Sequence, residues 1–325
     1  MRRMIALLPP LIVAASACVS TACFAETIYV SNERGDSVSV IDAATLKSLD
    51  TWKIGARPRG IVLSRDGRFL FVCVGNDHAV QMIDRATGKV VADLPSGEDP
   101  EQLFPSRDGK VLFVANEDNA AVTAIDIATR SVAFQVPVGK EPEGVAQSPD
   151  GRSLVVTSED DNAVSWIDLP SRKVIATIET EQRPRHVEFT ADGKQLWIAA
   201  ETGGVVQVVD TANHAVIETL HFAPPGVKDY QVLPCGIRFT PDGKTAVIAL
   251  GRANMVALVD VATRKVRAYV PVGKRVWHLA ISADGARAYT ANGVSDDVTV
   301  VDLGAARAVG TIAAGAGPWG VVIAP

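Results

Sequence analysis

The chain is poor in several residue types, and each shortage excludes a class of protein. Its 325 residues include four cysteines, of which only Cys73 and Cys235 lie beyond residue 25. Two cysteines are too few for a disulfide-stabilised scaffold, and they fall in non-neighbouring repeats, so we predict two free thiols. The formal net charge is −5. This lack of basic surplus argues against nucleic acid or anionic lipid as a partner.

Recognisable catalytic motifs are also missing. The chain contains no G-x-S-x-G, no H-E-x-x-H and no paired C-x-x-C. A serine nucleophile on a strand-to-helix elbow and the common zinc sites are therefore not indicated, because each needs one of these spacings.

The only long apolar run is N-terminal. In "MRRMIALLPPLIVAASACVSTACFAET" two arginines precede an apolar run that ends in small residues. This order is typical of a secretory signal peptide and is too short for a membrane span. We predict a signal peptide over residues 1–25, a mature chain beginning near Glu26, and a periplasmic location. Lipid attachment through Cys18 or Cys23 is an alternative, but neither has a large aliphatic residue three positions earlier.

What the chain has instead is a repeat of 42 residues. Aspartates that follow an apolar run recur at Asp42, Asp84, Asp126, Asp168, Asp210, Asp260 and Asp302. Glycines of "DG" pairs recur at Gly67, Gly109, Gly151, Gly193, Gly243 and Gly285. Both series share one insertion of eight residues, so they mark the same structural unit. We expect the aspartates to accept hydrogen bonds from turn amides.

Each unit predicts four short β-strands, as in "GIVLS", "FLFVCV", "VQMID" and "KVVADLPSG". Four strands in about 40 residues form the blade of a β-propeller. Residues 27–54 supply three strands that lack a first, and the terminal "GPWGVVIAP" supplies the missing one. We therefore predict an all-β fold: one seven-bladed propeller over residues 26–325, closed by the C-terminal strand joining the N-terminal blade.

The repeats resemble the YVTN family of propeller proteins. The resemblance is carried by "YVSN", "FVAN" and "YTAN" on the second strands, "VIDAAT" and "VDVATRKV" on the third, and "VGKEPEG" leading into the next unit. The whole chain is also similar to periplasmic propellers associated with pyrroloquinoline quinone (PQQ)-dependent alcohol catabolism.

That similarity implies a noncatalytic periplasmic accessory protein that supports quinoprotein-dependent alcohol catabolism. A quinoprotein dehydrogenase or its cytochrome is then the expected partner, and the resemblance identifies no cofactor and no catalytic residue. One alternative is a lactonase-type hydrolase, since some seven-bladed propellers hydrolyse sugar lactones. It would use His186, Arg185 and Glu143. A second alternative is a carrier of a haem-like or metal cofactor.

The copies differ most at two positions near the expected channel mouth, where propeller ligands usually bind. The residue after the recurring proline is, in order, Arg59, Glu101, Glu143, Arg185, Cys235, Trp277 and Trp319. The residue after that is Gly60, Gln102, Gly144, His186, Gly236, His278 and Gly320.

Three interpretations of these positions stay open. His186 and His278, with Cys235, suit a metal or haem-like cofactor. Tryptophans and arginines suit a small planar anion. The ring can also be a docking surface or polar lining. The candidate binding residues are Arg59, Arg185, His186, Trp277, His278 and Trp319; no metal ligand is assigned.

Two loop features complete the prediction for this face. The acidic loops between second and third strands, such as "SEDDNAV", are interpreted as a solvated rim, since none has calcium-loop spacing. The eight-residue insertion lies in "LHFAPPGVKDYQVLPCG" and is expected on the mouth face, beside His186 and Cys235.

Overall fold

Strands of six or seven residues alternate with short turns along residues 26–325, the part of the chain that this computed structural model describes. The predicted signal peptide and its two cysteines lie outside the described residues. Twenty-eight strands, numbered β1–β28 along the chain, form seven antiparallel sheets of four strands. Residues 26–325 contain no α-helix, and no helix in that range is long and apolar enough to cross a membrane.

We number the sheets as blades 1 to 7 and give strand bounds in blade order. The first strands are β28 (Pro318–Ala324), β4 (Pro58–Leu63), β8 (Pro100–Pro105), β12 (Pro142–Gln147), β16 (Pro184–Phe189), β20 (Pro234–Phe239) and β24 (Val276–Ile281). The second strands are β1 (Thr27–Asn32), β5 (Phe69–Val74), β9 (Val111–Asn116), β13 (Ser153–Ser158), β17 (Gln195–Ala200), β21 (Thr245–Leu250) and β25 (Arg287–Asn292).

The third strands are β2 (Ser37–Asp42), β6 (Ala79–Asp84), β10 (Ala121–Asp126), β14 (Ala163–Asp168), β18 (Val205–Asp210), β22 (Met255–Asp260) and β26 (Asp297–Asp302). The fourth strands are β3 (Lys47–Lys53), β7 (Lys89–Pro95), β11 (Ser131–Pro137), β15 (Lys173–Glu179), β19 (Ala215–His221), β23 (Lys265–Pro271) and β27 (Arg307–Ala313). Single 3-10 turns occur at Gly75–Asp77, Asp229–Gln231 and Gly251–Ala253.

The ring closes as the sequence predicts. Strand β28 pairs with β1, with Thr27 opposite Ala324, so the C-terminal strand completes blade 1. Each first strand contacts the first strands of both neighbouring blades and therefore lines the central channel. Seven hydrophobic clusters each join one pair of neighbouring blades. The protein is a seven-bladed β-propeller in which every blade is covered on both faces.

The repeat markers have the predicted structural roles. All six "DG" glycines have φ between 68° and 75°, the left-handed conformation that a tight hairpin requires. The seven aspartates each accept a hydrogen bond from an amide of the following turn, as in Thr45 N to Asp42 Oδ1 at 2.6 Å. Cys73 and Cys235 are both buried and free, as predicted.

A β-bulge lies at the mouth end of every first strand. In blade 2, Pro58 is opposite Val74 and Ile61 is opposite Val72, so Arg59 and Gly60 together face a single residue. The other six blades shift register at the same place. A bulge re-aims side chains that would otherwise alternate between the two faces of a sheet. Two consecutive residues of each blade thereby reach the channel.

Glycine at the second of these positions allows the inner strands to approach closely. A Cβ on Gly144 would lie 2.8 Å from the carbonyl oxygen of Arg185 and 3.0 Å from His186 Cα. We expect Gly144→Ala to lower the free energy of unfolding by about 1–3 kcal/mol, measured by urea denaturation, because backbone must shift.

Gly304→Ala is the matched control for this substitution. Its Cβ would meet nothing closer than Asp302 Oδ1 at 3.5 Å. Equal stability of the two variants would contradict the close approach of the inner strands.

Candidate functional site

The connections from fourth to first strands and the loops from second to third strands meet at one end of the channel, which we call the mouth. Their amides and side chains bond to one another, as in Arg57 N to Asp36 Oδ1 at 3.0 Å. We use "mouth ring" for the seven residues that follow the proline position: Arg59, Glu101, Glu143, Arg185, Cys235, Trp277 and Trp319.

Four of the six predicted binding residues belong to the mouth ring and contact one another. The Trp277 and Trp319 ring centroids are 6.5 Å apart. The Arg185 guanidinium lies 5.1 Å from the Trp277 centroid, and that of Arg59 lies 5.5 Å from the Trp319 centroid. The structure brings these four residues together, as the repeat register suggests; their role in ligand binding stays a prediction.

Arg185 is not free to hold a ligand by itself. Its guanidinium is buried and paired with Glu143 at 2.6 Å, Glu159 at 2.9 Å and Glu201 at 3.2 Å. Trp319 is also buried, at 1% exposed. The mouth ring is therefore a packed ion-pair network flanked by tryptophan rings. Groups that a ligand can reach must lie at the edge of this ring.

That edge is formed by residues which sequence reasoning missed. The residue before the proline position is Arg57, Asp99, Glu141, Arg183, Leu233, Arg275 or Gly317, and all seven have positive φ. We call these seven residues the lip. The repeat register could have located them, since they stand two positions before the mouth ring. The left-handed conformation costs a non-glycine residue about 1 kcal/mol or more, so the surrounding turn enforces it.

Two lip arginines enlarge the Arg185 network. Arg183 Nε donates to Glu159 Oε2 at 2.6 Å and lies 3.5 Å from Glu201, while its side chain is 44% exposed. Arg275 donates to Glu201 Oε1 and stacks 3.7 Å from the Trp277 centroid. Arg183 is thus a solvent-accessible cation attached to a buried carboxyl group.

Glu143 and Glu159 are neighbouring buried carboxyl groups that both pair with Arg185. Burial and the adjacent Glu143 charge raise the pKa of Glu159 to about 9. The Arg185 cation instead lowers the pKa of Glu143 despite its burial. Glu143 Oε1 and Glu159 Oε1 are both buried without a hydrogen-bond donor, which a proton held by the pair would supply. Two carboxylates that share a site cannot both ionise easily, so the pair holds one proton at neutral pH.

A cleft of about 460 Å³ opens above this pair, between blades 4 and 5. It is lined by Glu141, Glu159, Asp160, Asn162, Gln182, Arg183 and Thr202. Partial burial, followed by the charges of Asp160 and Glu117, raises the pKa of Glu141 above its ordinary value. The cleft therefore presents a carboxylate, a protonated carboxyl group and a guanidinium. Groups whose pKa values are pushed apart in this way supply an acid and a base.

A second acidic cluster lies in blades 2 and 3. Arg57 pairs with Asp99 and Glu101, and Arg59 also pairs with Glu101. Burial raises the pKa of Glu101 well above its usual range. Among residues 26–325, Asp99, Glu101 and Glu117 are the one group whose ligand atoms are close enough for a metal ion. The Arg57 guanidinium already bonds two of these carboxylates.

The two predicted histidines lie one residue deeper, in what we call the histidine layer: Gln102, His186 and His278. His186 Nδ1 lies 3.1 Å from Gln102 Oε1, and its Nε2 lies 2.7 Å from Arg238 Nη1. Since Arg238 can only donate, His186 carries its proton on Nδ1. Both ring nitrogens are therefore occupied, and His186 has no lone pair free for a metal.

His278 stands beside His186, with ring centroids 5.4 Å apart. Cys235 does not join them, because its Sγ contacts Glu201 Oε1 at 3.9 Å and Leu233 O at 3.4 Å. Within the described part of the chain, His186, Cys235 and His278 do not form a group at metal-binding distances. The metal interpretation of these three residues therefore lacks geometric support.

The loops differ in part from their interpretation. Asp160 and Asp161 are exposed, but Glu159 and Glu201 are buried and paired with arginines. The acidic loops thus contribute both exposed aspartates and the buried carboxyl groups of the site. The insertion lies between β19 and β20 on the mouth face, with Tyr230 76% exposed.

Burial keeps both histidines uncharged. It lowers the pKa of His186 and, together with the nearby His186 ring and the Arg238 cation, lowers the pKa of His278 well below 6.5. Below about pH 6.5 the unfolded chain gains protons that these folded side chains resist. Each histidine therefore removes stability as pH falls, by up to about 1.4 kcal/mol per pH unit.

His278→Gly isolates one of these contributions. As pH falls from 6.5 to 5, we expect the unmodified chain to lose more free energy of unfolding than the His278→Gly variant does. Glycine occupies the same position in four other blades. A difference that is constant across this pH range in urea denaturation would contradict a neutral, buried His278.

Comparisons with known proteins match the two halves of the propeller to different family models. Two family models match parts of this chain. One, described as a YNCE-like beta-propeller, matches residues 72–149. The other, described as a lactonase, 7-bladed beta-propeller, matches residues 171–313 and so includes Arg183, Arg185 and Arg275. No curated protein matches the sequence.

Several solved structures share the fold. Hydrazine synthase of Kuenenia stuttgartiensis is 25% identical with a TM-score of 0.78, covering 85% of this chain and 92% of that chain. Periplasmic gluconolactonase PpgL of Pseudomonas aeruginosa is 21% identical with a TM-score of 0.77, covering 92% and 99%. A putative 6-phosphogluconolactonase of Bacteroides uniformis is 17% identical with a TM-score of 0.76, covering 92% and 99%. At such identities the last two show similarity of fold alone.

These comparisons correct the functional prediction. The noncatalytic accessory role in quinoprotein-dependent alcohol catabolism is wrong, because the family model that matches the second half of the propeller is that of a lactonase. Propellers described as gluconolactonases are also among the structural neighbours. The physical reason for the error is that repeat motifs such as "YVSN" encode blades and carry no information about chemistry at the mouth.

Proposed function

We propose that the protein hydrolyses lactones in the cleft between blades 4 and 5. One observation carries the proposal: Glu141, protonated Glu159 and Arg183 line the same cleft. Glu159 N donates to Glu141 O at 2.9 Å, which fixes the two acidic residues relative to each other. Lactone hydrolysis needs a base, an acid and a cation at one carbonyl group, and this cleft provides all three.

The reaction proceeds by attack of water on the lactone carbonyl carbon. Glu141 accepts a proton from the water, and Arg183 stabilises the negative charge that develops on the carbonyl oxygen. The intermediate then breaks its ring carbon–oxygen bond, and Glu159 protonates the leaving ring oxygen. The product is a hydroxycarboxylic acid. A proton returns from Glu141 to Glu159 through solvent, so one lactone and one water are consumed.

Further features support the same assignment. The lactonase family model covers Arg183 and Arg185, which pair with Glu159, and Glu201 and Arg275, which belong to the same ion-pair network. The N-terminal pattern of residues 1–25 supports export to the periplasm.

The test is hydrolysis of a lactone panel by the purified chain. Five- and six-membered sugar lactones, neutral and carboxylated, are followed by pH-stat titration against the spontaneous rate in buffer. We expect at least one to be hydrolysed with saturation kinetics. If no lactone exceeds its buffer rate, the proposal is wrong.

A further inference from the structure

Two adjacent rings in the channel lack hydrogen-bond partners. His278 is 7% exposed, and neither of its ring nitrogens bonds to another described residue. Trp319 is 1% exposed, and its Nε1 has no acceptor. The two ring centroids are 4.3 Å apart. The Trp319 N–H is thus a buried donor without a partner, which costs about 1–3 kcal/mol, and it points to an acceptor bound beside His278.

Arginines lie around these rings, and each of them also pairs with a carboxyl group. Arg238 Nη1 bonds His186 Nε2 at 2.7 Å and Glu188 Oε2 at 2.9 Å. The Arg59 guanidinium lies over the Trp319 ring. The ionisable groups around His278 are His186, Arg238, Glu143 and Arg185. Arg185 is engaged by Glu143, Glu159 and Glu201. Arg238 bonds its partners through Nη1 alone, so the rest of its guanidinium is available to an anionic ligand.

A ligand can reach Arg238 from the side of the channel that lies away from the mouth. It stands three residues beyond Cys235 along β20, on the far side of the histidine layer. Its side chain is 37% exposed and that of Glu188 is 29% exposed. The corresponding residues of the other blades are apolar: Val62, Phe104, Ala146, Ala280 and Val322. Charge at this depth is thus confined to blades 5 and 6.

We propose that His278, Trp319 and Arg238 form a binding site for a small oxyanion inside the channel, entered from the face opposite the mouth. Neutral imidazole retains one N–H donor, and indole supplies a second. Arg238 supplies the charge that holds a carboxylate or phosphate oxygen. A cation is disfavoured because the His186 lone pair that would bind it already accepts from Arg238.

This site is separate from the lactone cleft in residues and in access. The cleft is lined by Glu141, Glu159 and Arg183 on the mouth face, and none of them contacts His278. The oxyanion site therefore stands independently of lactone hydrolysis, and a binding measurement tests it without reference to turnover.

The experiment is an NMR titration of the full chain with ¹⁵N-labelled histidine. Acetate and inorganic phosphate are added in separate arms at constant ionic strength, and the His278 resonance is assigned by its loss in His278→Gly. We expect a saturable shift of this resonance in at least one arm, and the arm that saturates identifies carboxylate or phosphate as the preferred ligand.

Two matched variants test the assignment through the increase in melting temperature that the anion causes. His278→Gly introduces the residue of blades 1, 2, 4 and 6, and the double variant Glu188→Ala/Arg238→Ala introduces that of blades 4 and 7. Removing both charges avoids an unpaired Glu188. We expect each variant to raise the apparent Kd for the anion about tenfold, as determined from the dependence of the melting temperature on anion concentration. Absence of a saturable His278 shift in both arms, or unchanged apparent Kd in both variants, would overturn the proposal.

Discussion

Glu159→Gln is expected to reduce kcat for lactone hydrolysis by about 10²- to 10⁴-fold, the usual contribution of a general acid. Glutamine preserves the size of the side chain and its bond from Arg183, but it cannot protonate the leaving ring oxygen. KM should change little, since Arg183 remains at the cleft. The measurement is a steady-state rate on whichever lactone the panel identifies.

The pH profile separates proton donation from a structural effect. The pKa of Glu159 is raised to about 9, so its proton is present at neutral pH and lost as pH rises through that value. Activity of the unmodified chain should fall on the alkaline side near pH 9, and the residual activity of Glu159→Gln should not.

Glu117→Gln is the control that the repeat provides. Glu117 occupies in blade 3 the position of Glu159 in blade 4, but it does not line the cleft. It should retain near-normal kcat. Equal loss of activity in both variants would show that the effect comes from disturbance of the mouth and not from the acid.

Arg185→Ala is expected to lower the free energy of unfolding by about 3–5 kcal/mol. The guanidinium of Arg185 is buried and contacts three carboxyl groups, those of Glu143, Glu159 and Glu201. Its removal leaves the ionised Glu143 in a site of low polarity without its strongest cation. The Trp277 ring also loses the cation stacked 5.1 Å from its centroid.

Urea denaturation at pH 7 measures this loss, and Arg183→Ala is its control. Arg183 pairs with the same Glu159 but is 44% exposed, and exposed ion pairs contribute about 1 kcal/mol or less. The two variants should therefore differ by several-fold in destabilisation. A similar small effect at both positions would mean that the network is solvated and that burial does not control its energetics.

The sequence predicted the fold because each blade repeats the same local solution. Glycine at position 67 and its counterparts permit the hairpin, and aspartate at position 42 and its counterparts fixes the opposite turn. Such turns depend only on neighbouring residues, so their spacing also gives the strands between them. The incomplete blades at the two ends then required ring closure, which the pairing of β28 with β1 confirms.

The candidate site was only partly predictable. The register correctly grouped Arg59, Arg185, Trp277 and Trp319, because a ring makes equivalent positions neighbours. It did not reveal the lip arginines, whose left-handed backbone has no sequence signature as strong as glycine. It also misjudged Glu159, since acidic residues in loops are usually solvated.

The sequence by itself determined the number of blades, the path of the chain and the ring of positions around the mouth, since these follow from local turns repeated at a fixed interval. Only the tertiary structure decided which charges are buried, which pairs share a proton and which nitrogens lack a partner. Those properties depend on side chains that meet across the ring. The contacts of Arg185 with Glu201 and of His186 with Gln102 or His278 join residues that are 16, 84 and 92 positions apart. Bulges, close inner strands and burial set their geometry, and no single repeat encodes it.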